Sequence, residues 1–360
     1  MKGRFAPFAL GGLLILVVIA WWLRSESHGD LSCHRIALTD MMSGHAIQGA
    51  EDMALDPTGP RLLISAYDRR KNEGGGLYAV PLAALLDPAA QSVAAERLLP
   101  RPGQPPLRPH GFGVGPVRSA TALLVAIERQ NRREGRAKVR LQPYRLSRTV
   151  LAPAGPPWAD PLLCNANDLV VKADEELLVT TDRAACDAAG RMVEDVLGLA
   201  RGKILSVSRY GIHILASGLH FANGIAADDR HVFVATTRDP ALLVYDRPGE
   251  SEPLGTARRI ALDAAPDNLA WGDDGLLYVA AHVSLLRYAL FRLGLSRESA
   301  SAIYRYDPIL GRPPTRLGLA GGPGAVSGAT VALAVRDHLV LGAAYDGGLS
   351  ICAGGGAEHK

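Results

Sequence analysis

The chain has 360 residues, 48% hydrophobic and 21% charged, enough to bury a sizeable core in one large domain. Its formal net charge of +3 at pH 7 is small for that length and gives no case for a nucleic-acid partner. Four cysteines, an even count, favour disulfides if the chain is exported.

From Phe5 to Leu23 no charge interrupts an apolar run, with Lys2 and Arg4 before it and Trp21 and Trp22 at its far edge. A run of this length spans a bilayer as a helix, with a positive-inside flank and an interfacial aromatic pair. Residues 1–24 therefore read as an uncleaved membrane anchor, leaving the rest on the periplasmic or extracellular side. A cleavable secretory signal is the alternative, although no clear Ala-x-Ala site follows Trp22. Residues 25–32 form a polar linker, 33–353 the globular region, and 354–360 a Gly-rich tail read as disordered.

A single unit recurs within the globular region: a polar head at the mouth of a short apolar strand, a turn of Asp, Gly or Pro, and a second β-rich strand. It appears as Glu51-Asp-Met-Ala-Leu with Arg61-Leu-Leu-Ile-Ser, and as His110-Gly-Phe-Gly-Val with Thr121-Ala-Leu-Leu-Val-Ala. Asn167-Asp-Leu-Val-Val, Asn223-Gly-Ile, Asp267-Asn-Leu-Ala-Trp and Thr330-Val-Ala-Leu open the other four. Each unit is a hairpin, and heads roughly 45 to 60 residues apart have the period of four-stranded propeller blades. The expected fold is an all-β, six-bladed propeller.

Three stretches interrupt the pattern. A Pro- and Ala-rich connection leads from Asp87 into His110. Arg129, Arg132, Arg133, Arg136, Lys138 and Arg140 read as a solvated hairpin loop, with contact to a membrane surface as the alternative. Met192, Val193, Val196, Leu197 and Leu199 have helical spacing, so residues 185–200 predict a helix on one propeller face, and 285–295 a second helical cover.

Inner strands of a propeller end at its central channel, so the heads Glu51, Asp52, His110, Asn167, Asp168, Asn223, Asp267 and Asn268 should converge there. Carboxylates and amide carbonyls are hard oxygen donors, and six to eight in a flexible arrangement suit calcium. Zinc would ask for more His and Cys. Taken singly, an Asn or Asp beside Gly is a turn residue; the same position in successive repeats argues for a common task. Cys33 and Cys352 stand at the two ends of the ring, where a disulfide would tie the first and last strands, whereas pairing of Cys164 with Cys186 is left open.

Taken together, Gly49-Ala-Glu-Asp52, Arg108-Pro-His-Gly111, Asn167-Asp168, Phe221-Ala-Asn-Gly-Ile225, Asp267-Asn268 with His282 beyond, and Ser327-Gly-Ala-Thr-Val331 resemble the motifs of the paraoxonase and arylesterase family. More distantly they resemble gluconolactonase and strictosidine-synthase-like propellers. The resemblance implies two calcium ions in the tunnel, a retained hydrophobic N-terminus, and a disulfide joining first and last strands. It assigns Glu51, Asn167, Asn223, Asp267 and Asn268 to a catalytic calcium. Asp52, Asp168 and the backbone carbonyl near Phe112 would hold a structural one. His110 matches the family's base and His282 a further pocket histidine. One position departs: where the family has a second histidine this chain has Glu128, expected to orient His110 or take its proton. The activity implied is calcium-dependent hydrolysis of lactones and aryl esters. The alternatives are a membrane-tethered binding propeller with structural calcium, and a strictosidine-synthase-like enzyme.

Overall fold

The computed structural model describes residues 29–353 apart from 102–103, 105–106, 130–138, 174, 248 and 250–251. The expected anchor, the tail after 353 and most of the basic loop lie outside the described residues. Among the described residues no helix is long and apolar enough to cross a membrane.

The fold is all-β and propeller-like, with few helices. Strand β1 (Cys33–Asp40) is followed by β2 (Ala50–Leu55), β3 (Arg61–Ala66), β4 (Gly76–Pro81), a four-residue helix α1 (Leu82–Leu85) and β5 (Ser92–Leu99). Four separate four-stranded sheets come next. They are β6 (Pro109–Val114), β7 (Ala122–Arg129), β8 (Val139–Leu146) and β9 (Leu151–Pro153); β10 (Ala166–Val171), β11 (Leu177–Thr181), β12 (Gly202–Ser208) and β13 (Gly211–Leu219); β14 (Ala222–Ala227), β15 (His231–Thr236), β16 (Ala241–Asp246) and β17 (Arg258–Ala261); and β18 (Ala265–Trp271), β19 (Leu277–His282), β20 (Ser301–Tyr306) and β21 (Thr315–Ala320). The chain closes with β22 (Ala329–Val335), β23 (His338–Ala343) and β24 (Leu349–Ala353).

The sheets depart from six separate blades. Strands β2 to β5 and β22 to β24 join through β1 into one eight-stranded sheet, beside the four four-stranded blades. The cause is the length of β1. Its first half, Cys33–Ile36, pairs antiparallel with β24, and its second half, Ala37–Asp40, pairs parallel with Ser92–Ala95 of β5.

Polarity along each blade follows its place in the ring. Inner strands lie between neighbouring sheets on both faces, so β22 (ATVALAV) is buried at every position and is built from small, β-branched and leucine residues. At the rim the pattern inverts: β17 (RRIA) is largely exposed. The core fills the gaps between sheets. Phe233 of β15, fully buried, meets Trp271 and Tyr306 of the next blade edge-on at 5.9 Å each.

Both interruptions with helical spacing are helices, α2 (Ala188–Leu197) and α3 (Leu285–Arg292). Asp187 caps α2 by accepting from the Gly190 N–H, and Gly198 ends it with φ +62°. The apolar residues that identified α2 are not packed into the core: Met192, Val193, Val196 and Leu197 are exposed, while Glu194 is buried and accepts from the N–H groups of Ala184 and Ala185.

Candidate active site

Each inner strand breaks register against its neighbour at the position of its head. The shifts fall between Ala50 and Asp52, Pro109 and Phe112, Ala166 and Leu169, Ala222 and Ile225, Pro266 and Leu269, and Ala329 and Val331. A bulge puts two residues where the partner has one and re-aims their side chains. The repeated heads, apart from Asp52 which pairs with Ser65, are thus bulge residues, turned out of the ladder at the ends of six strands. Glycine lets neighbouring bulges touch. A Cβ on Gly111 would lie 2.6 Å from the Asn167 carbonyl oxygen, and one on Gly224 would lie 2.5 Å from the Leu269 nitrogen.

Six predicted residues, Glu51, His110, Asn167, Asn223, Asp267 and His282, share the wall of one cavity of about 860 Å³. Asp52, Phe112, Asp168, Asn268 and Glu128 are not on that wall. Asp52 and Asp168 sit behind it and tie adjacent inner strands together. Asp52 accepts from the N–H of Phe112 at 2.9 Å, and Asp168 accepts from the N–H of Ile225 at 2.9 Å. Phe112 thus meets Asp52 through its N–H. Asn268 donates from Nδ2 to the Glu51 carbonyl at 3.0 Å, and the Thr330 hydroxyl donates to the same oxygen at 2.9 Å.

On the wall, the carboxylate of Glu51 meets both Nδ1 of His110 and the guanidinium of Arg69. The expected partnership of His110 with Glu128 is not formed. Glu128 stands opposite Pro109 in the ladder, outside the bulge that turns His110, and its carboxylate accepts from the Tyr144 hydroxyl at 2.5 Å and from Arg140 at 2.8 Å. Across the cavity, Asp267 accepts from Asn223 Nδ2 at 2.5 Å and lies 2.8 Å from His282 Nε2. The His282 ring is stacked on Tyr288 of α3 at 3.5 Å.

The electrostatics follow from burial and the arginines. Burial works against the Glu51 charge, but Arg69, His110 and Arg129 outweigh it and hold the carboxyl at about 2. Burial, then the Arg129 charge, push His110 down to about 4 despite Glu51, so its imidazole is neutral at pH 7. Asp52 is pushed up to about 8 by burial and by Glu51, against the backbone N–H groups it accepts from. Burial and the charge of Asp52 likewise raise Asp168.

Among the described residues no group of three or more His, Cys, Asp or Glu side chains stands ready to hold a metal ion. The oxygen set fits a hard cation in its chemistry nonetheless. Asp52 and Asp168 are buried carboxylates whose ionisation is opposed by burial and by neighbouring carboxylates, Glu51 and Asp267 for Asp52 and Asp52 and Glu51 for Asp168, and the amide oxygen Oδ1 of Asn167 is buried without a hydrogen-bond partner among the described residues.

Sequence reasoning missed much of the wall. Tyr67, Arg129, Asp182, Thr237 and Ala344 line it with His282, all at or just past the ends of second strands. The hairpin repeat held that signal, since in an antiparallel hairpin the second strand ends beside the head of the first. Helix α2 contributes Arg191, Met192 and Asp195, and α3 contributes Leu285, Tyr288, Ala289 and Arg292. Arg69, which touches both Glu51 and His110, carried no sequence signal. A smaller cavity of about 410 Å³ shares Arg69, Ala344 and Tyr345 but none of the predicted residues.

The arylesterase family model matches residues 158–352, more than half of the chain. The chain belongs to the arylesterase family. Over 188 residues it is 27% identical to serum paraoxonase/arylesterase 1 of Homo sapiens and 26% identical to that of Rattus norvegicus, covering 51% of this chain and 52% of each relative. It thus spans about half the length of the curated relatives it matches. Among solved structures, this arylesterase-family chain is similar to a luciferin-regenerating enzyme, with a TM-score of 0.52 at 12% identity over 90% of this chain and 95% of that one. A gluconolactonase from Xanthomonas campestris gives a TM-score of 0.51 at 16% identity, over 92% of this chain and 98% of the other. At those identities the likeness is one of fold.

Proposed function

We propose that this protein is a calcium-dependent hydrolase of lactones and aryl esters, acting by attack of water. The observation that carries the reading is the convergence of six bulge and strand-end residues on one cavity wall in a chain of the arylesterase family. The names of the relatives, arylesterase and gluconolactonase, point to the same substrates. Glu51, Asn167, Asn223, Asp267 and Asn268 would hold one cation, and Asp52 and Asp168 a second. Such a cation supplies polarisation of the ester carbonyl and stabilisation of the oxyanion that develops on it.

The chain's own residues account for the rest. His110 is neutral at working pH, and with its Nδ1–H donated to Glu51 its Nε2 is left to take a proton from water. Arg69 neutralises Glu51 and fixes its direction. His282 is held by Asp267 on one edge and by the Tyr288 ring on its face, which sets its orientation beside the substrate space.

We read the eight-stranded sheet as two blades sharing β1, for a ring of six. The support is that β2, β6, β10, β14, β18 and β22 contact one another in a closed cycle. We also propose that residues 1–24 anchor the protein with the propeller outside the cytoplasm. The apolar run supports this, as do the disulfides Cys33–Cys352 and Cys164–Cys186, which persist in oxidising compartments.

The test is turnover of phenyl acetate and of simple lactones, with thermal melting, before and after chelation. Chelation should abolish turnover and lower Tm, and added calcium should restore both. A second reading, a non-catalytic propeller holding calcium for stability, draws on the bonds that Asp52 and Asp168 make to adjacent strands. A chelator-sensitive Tm in a protein that hydrolyses no ester would establish it instead.

A further inference from the structure

The wall of the large cavity carries seven arginines and no lysine, against four carboxylates, Glu51, Asp182, Asp195 and Asp267. Three of those carboxylates are already taken: Arg69 pairs with Glu51, Arg183 with Asp182 and Asp195, and Arg238 with Asp195. Asp267 is held by Asn223 and His282. Of the other four, Arg191 donates to the Cys186 carbonyl at 2.5 Å, and Arg108, Arg129 and Arg292 are without a carboxylate partner among the described residues. Arg108 donates to Asn72, Arg129 donates to the Ala166 carbonyl at 3.2 Å, and Arg292 lies over the rings of Tyr345 and Tyr288 at 5.2 and 5.9 Å.

Their positions flank both histidines. Arg108 precedes His110 by two residues, and Arg129 donates its N–H to the Arg108 carbonyl, so these two guanidiniums enter from the His110 side. Arg292 stands one helical turn beyond Tyr288, the ring stacked on His282. A neutral ester offers no formal charge for guanidinium groups on either side to pair with. A carboxylate or phosphate does, because the planar fork of Arg matches both groups with two parallel hydrogen bonds.

We propose that the substrate is an anionic ester or lactone, carrying a carboxylate or phosphate group that Arg108, Arg129 and Arg292 bind while the ester lies between the histidines. This rests on the hydrolase reading for the chemistry but not for the ligand class. A concave basic wall also gathers anions from solution, so selectivity should fall as salt is added.

The test pairs substrates that differ only in charge. They are 4-nitrophenyl acetate with 4-nitrophenyl hydrogen succinate, γ-butyrolactone with its carboxylated analogue, and a sugar lactone with its phosphate ester. The anionic member of at least one pair should have a kcat/KM at least about tenfold higher at low salt, with the advantage shrinking as salt rises. Which pair responds separates carboxylate from phosphate. Arg292→Gln and Arg108→Gln should each lower the anionic-to-neutral ratio by roughly tenfold, and the Lys variants by less. Calorimetry with succinate and with inorganic phosphate gives a readout independent of turnover. A ratio at or below one in every pair, unmoved by salt, overturns the inference and leaves the hydrolase standing. Anion binding that is lost in Arg292→Gln, in a protein that hydrolyses nothing, supports the ligand class while the hydrolase reading fails. No turnover and no anion binding sinks both.

Discussion

His110 and Glu128 show how one residue's surroundings decide its role. Both are buried and both begin from the same hairpin, yet His110 lies in the bulge and meets Glu51, while Glu128 is clamped by Tyr144 and Arg140. Three variants separate base, ligand and scaffold. His110→Gln should lower kcat by roughly 10² to 10⁴ with calcium affinity near wild type. Asn223→Ala should lower both calcium affinity and turnover, because it removes the oxygen proposed as a ligand and the amide that donates to Asp267. Glu128→Gln should act mainly on stability, at a cost of about 1 to 3 kcal/mol for a buried charged partner lost by Tyr144 and Arg140. Esterase kinetics, calcium titration and denaturant melts on the three proteins check the assignment. Full activity in His110→Gln would move the base role elsewhere on the wall.

At the scale of the element, the bulge at the end of each inner strand produces the site, and close approach of neighbouring bulges sets its width. Gly224 is the clearest case. An added Cβ would meet the Leu269 nitrogen at 2.5 Å, the Asn268 Cα at 2.6 Å and the Asp267 carbonyl oxygen at 2.7 Å, all backbone atoms that cannot turn aside. Gly224→Ala should therefore force β14 and β18 apart. The expected cost is about 1 to 3 kcal/mol, with a weakened calcium response because Asp267 and Asn268 shift together. A variant that melts like wild type and binds calcium unchanged would show that the strands yield without effect on the site.

On the scale of the whole molecule, β1 closes the ring by covering the edges of both β24 and β5, and Cys33–Cys352 bonds the closure. That bond links residues 319 positions apart. Cross-linking so long a loop stabilises by about 6 kcal/mol in the chain-entropy account. The shorter link, Cys164–Cys186, spans 22 positions and contributes about 3 kcal/mol on the same basis. Replacing Cys33 and Cys352 together by Ala should lower Tm more than replacing Cys164 and Cys186. The reverse order in calorimetry would mean that the β1 ladder holds the ring without its disulfide.

Local order was legible because it is written in local spacing. The six heads, the hairpins behind them, the helices around 188–197 and 285–292, and the two cysteines at the ends of the ring all depend on residues near one another or on a repeat. The arylesterase motifs were legible for the same reason. What the tertiary structure decided involves residues distant in sequence. It joined the first and last strands into an eight-stranded sheet, because a single strand, β1, was long enough to pair on both sides. It gave His110 the carboxylate of Glu51, 59 positions away, in place of Glu128, because a bulge changes which way a side chain points without changing the hydrophobic pattern. It also collected arginines from strands, loops and both helices onto one wall. Each is an ordinary surface residue in the sequence, and only closure of the ring turns them toward a common space.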